Sequence, residues 1–408
     1  MTPRSTPAAV QRADRADRAP LRHVGIVVLA YAVAMAGTTM PTALYPMLQD
    51  SYAMSTAAAT QLFAIYAVTV LLVLCVFGAL SDAIGRRPVL WLGLAASLSS
   101  GLLYATATET PTLFAARILS GICAGLVTGT ATAYLTDLLR STSRGAGVSS
   151  IANMAGLGSG PVFAAFLTYL VPGFPMVSFA THAGLSAVCI VLLAAVPESV
   201  NPRRRGFALS LPAIDRSARR DFAVGGLMTL GFAVMGGCTA ITSILVVRAF
   251  GITDLRVLGL VGSLIFAATT IGQKAGGRFV ARHVGTGFAG LAVGAVLIGV
   301  APQFDTSVAP GLYLGGLVLA GFSHGALFPV GLAIVLRRIP PATRGSASSA
   351  FWVLGYALTA AGALGLGWVG ALSDEVTAVF WFGMLIALGA VGAGLLHRRL
   401  LDPATVRD

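Results

Sequence analysis

Charge is scarce in this chain. Asp, Glu, Lys and Arg make up 10% of its 408 residues, where an ordinary soluble domain carries about 25%. A surface so poor in charge has to face something apolar, and the hydrocarbon of a bilayer is the simplest candidate. Acids are scarcer still, 15 against 27 bases, for a formal net charge of +12. In a soluble chain that balance points to nucleic acid. Here the bases lie in short stretches between apolar runs, so their placement is topological and no nucleic-acid partner is expected. Cysteine is limited to Cys75, Cys123, Cys189 and Cys238. All four lie in apolar segments, none at metal-ligand spacing, and they read as small buried hydrophobes. No metal cluster, catalytic serine motif or phosphate loop is present, so neither an enzyme nor a cofactor is expected. No loop is long enough to form a soluble domain, which weighs against a non-transporting membrane sensor.

What is abundant is apolar and small: 56% hydrophobic residues and 49 glycines. Small residues let membrane helices approach closely. Twelve apolar segments follow one another, at about 24–47, 57–80, 88–108, 112–136, 146–170, 177–196, 222–247, 255–273, 285–301, 310–336, 346–369 and 376–396, the ninth looking short. Most reach the roughly 20 residues that cross a bilayer as a helix, and helices are required because lipid satisfies no backbone polar group. The expected fold is an all-α polytopic membrane protein of twelve transmembrane helices.

All Lys and Arg except Arg117, Arg248 and Arg256 fall in the two tails or in alternate connections. The positive-inside rule then puts both termini in the cytoplasm. Residues 1–22, rich in Arg, Asp and Pro, read as a cytoplasmic tail and not as a cleaved signal peptide. A six-helix bundle is expected over 23–197, a basic cytoplasmic linker over 198–221, a second bundle over 222–397 and a tail over 398–408. The halves rhyme: Arg140 and Arg144-Gly145 follow helix four as Arg337-Arg338 and Arg344-Gly345 follow helix ten. Two such pseudo-symmetric bundles suit a transporter that rocks one half against the other.

The strongest motif runs from Gly78 through Asp82, Gly85, Arg86 and Arg87 to Pro88. It reads as a helix end, a sharp glycine turn and a helix start, with Gly78 allowing close helix contact, Asp82 free to meet a helix N-terminus or an arginine, and the arginines held at an anionic membrane face. This run resembles the signature loop of the major facilitator superfamily, and the resemblance covers about residues 22–397. It implies a conformational latch made of Gly78, Asp82, Gly85, Arg86 and Arg87. The second-half copy, Gly277, Arg278, Arg282 and Gly285 after helix eight, has Ala281 where an acid is expected, so one complete latch is implied.

Arg117 in helix four, within Arg117-Ile-Leu-Ser-Gly121, resembles the superfamily motif linked to proton coupling. A buried functional charge and an arginine snorkelling to the outer surface both remain open. Gly156, Gly160 and Pro161 in helix five resemble the antiporter motif of the drug-exporting branch, with Ala164 and Ala165 in place of its trailing glycines. No Asp or Glu falls near the middle of any segment, which departs from many proton-coupled drug exporters. His324, near the middle of helix ten, is a titratable group that either couples to protons or packs as a hydrogen-bonded histidine. Helix one carries Pro41 and Pro46 among hydroxyls and reads either as a broken, cavity-lining end or as a helix with plain kink prolines. Candidate cavity residues are Tyr31, Thr38, Thr42, Gln61, Tyr66, Asn153, His324, Trp352 and Tyr356.

The resemblance implies a monomeric exporter exchanging protons for small organic molecules, and the rich Ala, Gly and Arg usage points to a bacterial inner membrane. An interior without carboxylates favours neutral or weakly anionic ones. An uptake symporter or facilitator for a small organic anion or metabolite remains the alternative.

Overall fold

Apolar runs of 20 to 30 residues, punctuated by caps and prolines, dictate the architecture. The structure is a computed structural model, described over residues 21–78, 80–172, 176–200, 218–339 and 344–401. Most of the two tails and of the basic linker lie outside the described residues, though Arg22, Arg219, Arg220, Arg398 and Arg399 are among the described ones. The long helices are α1 Leu21–Tyr52, α2 Thr56–Phe77, α3 Arg86–Thr106, α4 Thr110–Leu139, α5 Thr142–Leu170 and α6 Val177–Leu193. The second half gives α7 Arg219–Phe250, α8 Leu255–Arg282 and α9 Val284–Gln303, then α10 Ala309–Leu336, α11 Arg344–Leu372 and α12 Glu375–Leu401.

Eleven of these are long and apolar enough to cross a membrane. The short one is α6, with 17 residues, and not the ninth, which a 3-10 turn at Ala301–Gln303 extends. Local chemistry sets the boundaries. Ser55 caps α2 by accepting from the Ala58 N–H at 3.1 Å, and Asp254 caps α8 by accepting from the Arg256 N–H at 2.8 Å. A helix N-terminus has unpaired N–H groups that such side chains satisfy.

Three expectations are settled or corrected. Helix α1 runs unbroken through Pro41 and Pro46, and Ser243 takes up the Thr42 carbonyl that Pro46 frees. Helix α8 continues past residue 273 through a π turn at Gly272–Gly276, so Gly277, Arg278 and Arg282 are helical and not in a loop. Helix α7 begins inside the expected linker, at Arg219.

The helices form two bundles with matching neighbours. In the first, α1 packs on α5, α4 on α2 and α3, and α3 on α6; in the second, α7 packs on α11, α10 on α8 and α9, and α9 on α12. Between the bundles, α2 meets α11, α5 meets α8 and α7 meets α1 and α2.

The seam is tightest toward the face away from the chain termini. There a Cβ on Gly367 of α11 would run into Thr60 of α2, and one on Gly259 of α8 would come within 2.6 Å of Ala165 in α5. Arg256 stacks over Tyr169 at 4.3 Å across the same gap. The hydrogen bond from Ser150 to Gln273, 2.7 Å, ties α5 to α8 nearer the terminal face.

Candidate functional site

Arg117 is the most informative residue. It is 0% exposed, so it does not snorkel, and a charge held inside a membrane helix costs about 3 kcal/mol or more. The guanidinium donates to the Thr38 carbonyl at 2.6 Å and to the Tyr45 hydroxyl. It lies 5.7, 5.9 and 5.6 Å from the ring centres of Tyr45, Phe63 and Tyr66. Ring faces stabilise a cation by their quadrupole, so the charge is held by one carbonyl, one phenol and three aromatic faces. No carboxylate meets it among the described residues. Asp50, Asp137, Asp221 and Glu375 all sit at or near helix ends.

From Arg117 an aromatic band crosses to the second bundle. Tyr66 lies beside Tyr356, and Tyr356 beside Tyr31. Tyr356 leads to Trp352 at 6.3 Å, Trp352 to Phe328 at 4.9 Å and to Phe232 at 5.9 Å, and Phe232 to His324 at 4.6 Å, edge to face. The band joins α4 and α2 to α11, α7 and α10. Five of the candidate residues, Tyr31, Tyr66, Trp352, Tyr356 and His324, are thereby brought together with Thr38 at its first end.

His324 is buried, with Nδ1 unpartnered, and packs against Gly231, where a Cβ would clash with its ring. It is not a hydrogen-bonded packing histidine at Nδ1. His182 in α6 is: its Nε2 shares a hydrogen with Ser97 at 3.0 Å. Asn153 is buried in α5. Gln61 departs from expectation. It shares the exposed face of α2 with Val68 and Leu72 and does not line the seam. Its position four and seven residues before Ile65 and Val68 puts it on their stripe.

The Gly156–Pro161 element serves two helices. A Cβ at Gly156 would lie 2.5 Å from the Ala32 carbonyl, and one at Gly160 would clash with Thr39 and the Ala36 carbonyl, so both glycines bring α5 against the α1 backbone. Pro161 has no N–H for the Leu157 carbonyl, and Thr39 of α1 donates to that carbonyl at 2.8 Å. The same device crosses the seam: Pro46 frees the Thr42 carbonyl, and Ser243 of α7 donates to it at 2.5 Å.

The loop between α2 and α3 is organised within its own bundle. Gly85 has φ +104, and a Cβ there would meet Glu198 Oε2 at 2.7 Å. Glu198, arriving after α6, accepts from the Arg86 N–H at 3.0 Å and the Arg87 N–H at 2.9 Å, capping α3 as a carboxylate at a helix N-terminus should. Arg86 pairs with Asp82 at 2.6 Å and with Asp137 at 3.4 Å. Arg87 lies 4.9 Å over Trp91. Among the described residues, only the Leu74 carbonyl group lies within 4 Å of a Cβ at Gly78. A counterpart in the second bundle pairs Arg337 with Asp221 through two bonds, 2.8 and 2.5 Å. Glu198, Asp137, Ser243 and Phe232 were missed in the sequence. Of these only Ser243 had an indirect signal, the orphan carbonyl that Pro46 implies.

Among the described residues no cluster of His, Cys, Asp and Glu is arranged to hold a metal ion.

Comparison with known proteins agrees with this arrangement. A family profile described as Major Facilitator Superfamily matches residues 27–363. The chain is 28% identical over 345 residues to the uncharacterized MFS-type transporter YceJ of Bacillus subtilis (strain 168), covering 80% of this chain and 83% of that one. It is 34% identical over 179 residues to the class C tetracycline resistance protein of Escherichia coli, covering 42% of this chain and 44% of that one. Among solved structures it is similar to a bacterial homolog of the human lysosomal transporter Spinster, in an inward-facing and unoccupied conformation. There the TM-score is 0.73 at 13% identity, over 93% of this chain and 98% of that one.

Proposed function

Because this chain belongs to the major facilitator superfamily, we propose that the secondary-active transport it performs is proton-coupled export of small organic molecules, neutral or weakly anionic. It is a polytopic membrane transport protein and not an enzyme. The observation that carries the substrate class is Arg117: a buried cation, without a carboxylate, opening onto an aromatic band between the bundles. A band of ring faces and phenols accepts planar apolar bodies, and a fixed positive charge favours a neutral or anionic end over a cationic one. Export is supported by the similarity to a named tetracycline resistance protein and by the Gly156–Pro161 element.

Coupling is assigned to His324 with Arg117. His324 is a titratable side chain within a spanning helix and has a free ring nitrogen. Alternating access is assigned to the seam, with Gly78, Asp82, Gly85, Arg86 and Arg87 as the latch at the terminal face. With the basic connections inside, that face is cytoplasmic, the membrane is a bacterial inner membrane, and the seam as built is closed to the outside. The two bundles, 23–197 and 222–397, then work as one monomer. A second reading, an uptake symporter or facilitator for an organic anion, is favoured by the same lack of membrane carboxylates.

The test is flux in proteoliposomes with a pH-sensitive dye inside, across a panel of neutral, anionic and cationic compounds. Substrate-dependent proton movement, greatest for neutral and anionic compounds, is expected. Substrate flux without any proton response would overturn antiport and leave the facilitator.

A further inference from the structure

Three polar groups on Arg117 and on neighbouring turns have no partner, its own Nε, the Ser120 hydroxyl and the Thr42 hydroxyl, while the Tyr104 hydroxyl lies within hydrogen-bonding reach of the guanidinium. All four residues are buried, at 0%, 3%, 0% and 1% exposure. Their positions relate them to one charge. Ser120 lies one turn along α4 from Arg117. Thr42 lies on α1 between Thr38 and Tyr45, the two residues that hold the guanidinium. The Tyr104 phenol, from α3, lies beside the same charge and beside Tyr45.

The guanidinium Nε–H can only donate, and each hydroxyl can donate as well as accept. Buried polar groups are ordinarily paired, so the orphan Nε–H of a buried cation, with two orphan hydroxyls on neighbouring turns, calls for an acceptor. A water molecule would satisfy some of these bonds but would leave the positive charge uncompensated in the membrane interior. An anion answers both demands.

We infer that Arg117 is the cation of a binding site for a small monovalent anion, a halide or a carboxylate group, completed by the hydroxyls of Thr42, Tyr104 and Ser120. The site lies in the first bundle, between α1, α3 and α4. Its route to the aqueous phase is the seam, because the Thr42 carbonyl is already bonded across it to Ser243. Parting the bundles breaks that bond and uncovers the α1 turn that carries Thr42. The inference rests on the reading of Arg117 as a functional charge, but not on the direction of transport or on proton coupling.

The experiment reads binding and not flux, so its outcome is separable from that of the exchange assay. The purified full chain is titrated with chloride, and separately with benzoate, replacing gluconate at constant ionic strength, while the thermal unfolding midpoint is followed. A ligand that binds only the folded state raises that midpoint in a saturable way. The wild type is expected to respond to at least one of the two anions. Tyr104→Phe and Ser120→Ala each remove one donor and keep the charge, and each should weaken the apparent affinity about tenfold, as expected for a hydrogen bond to an ion. Ser373→Ala, at an exposed helix end, should change nothing. Saturation by chloride alone identifies an inorganic co-ion; saturation by benzoate alone identifies the carboxylate of an organic substrate. Absence of a saturable response to both anions overturns the site. So does a response that Tyr104→Phe and Ser120→Ala leave at wild-type affinity.

Discussion

The hydroxyl of Thr56 donates to Oε1 of Glu375 at 2.5 Å, joining residues 319 positions apart and fastening the first bundle to the second. Arg248, from the end of α7, closes on the same oxygen, and Gln49, from the end of α1, donates to Thr56 at 3.2 Å. This chain of four side chains clamps the seam at the face away from the termini. The Glu375 side chain is 13% exposed, so solvent screens it only partly.

Glu375→Gln should therefore loosen that face. One charge-assisted hydrogen bond is worth roughly 1.5 kcal/mol, or about a tenfold change in the open-to-closed ratio. Spin labels at Ser51→Cys and Ser373→Cys report it as a larger population at long separation. An unchanged distance distribution would mean that the glycine contacts at Gly367 and Gly259 close the seam without the clamp.

Arg117→Lys should cost transport at least tenfold with the chain still folded. A planar fork meets the Thr38 carbonyl and the Tyr45 hydroxyl together, while an ammonium group reaches them only one at a time and stacks poorly on the rings. Flux per monodisperse protein in proteoliposomes measures this. Wild-type flux would show that charge alone suffices.

Much of this was legible in the sequence, and what was not has a common cause. Period, length and basic connections placed most of the helices to within a few residues, because burial in lipid imposes them locally, while α8 runs on past its expected end to Arg282. The glycine turn at Gly85 was legible because its conformation is a property of one residue. Arg117 was recognisable as costly but not as enclosed, since enclosure depends on Tyr45, Phe63 and Tyr66 arriving from other helices. Glu198 on the α3 N-terminus and Glu375 on Thr56 join positions more than a hundred residues apart, and neither residue carries a local mark of its partner. Gln61 looked like a cavity residue because a polar side chain in a helix suggests one, whereas its stripe with Val68 and Leu72 decides its direction. Pro46 and Pro161 announced that carbonyls would be freed, without saying that Ser243 and Thr39 would take them.

Gly160→Ala should destabilise the first bundle by about 1–3 kcal/mol, the usual range for overpacking, because its Cβ meets the α1 backbone at Ala36. Gly184→Ala, with nothing within 4 Å of its Cβ, should be neutral. Thr39→Val should cost about 1–2 kcal/mol by leaving the Leu157 carbonyl unpaired. Unfolding midpoints in detergent order the three variants; equal midpoints for Gly160→Ala and Gly184→Ala would contradict the tight α1–α5 contact.

Between pH 5 and 8 the Asp254 cap on α8 should contribute no pH dependence. Its hydrogen bond from the Arg256 side chain holds the carboxyl down at about 2. A depressed folded-state pKa gives stability that is complete above the unfolded carboxylate value, about 3.9, and is lost only as pH falls toward 2. Asp254→Asn should leave the pH profile of transport superimposable on the wild type from pH 5 to 8, and a shifted profile would place a functional proton at this loop.

The most direct test of the coupled-band account compares two modes of transport in His324→Gln, which keeps a polar side chain of similar reach but does not titrate. Counterflow of labelled substrate against unlabelled substrate needs only the band and the moving seam, while net flux driven by a pH gradient needs the proton as well. The account predicts that His324→Gln retains counterflow and loses gradient-driven flux together with substrate-dependent proton movement. Retention of all three would contradict it and remove His324 from the coupling path.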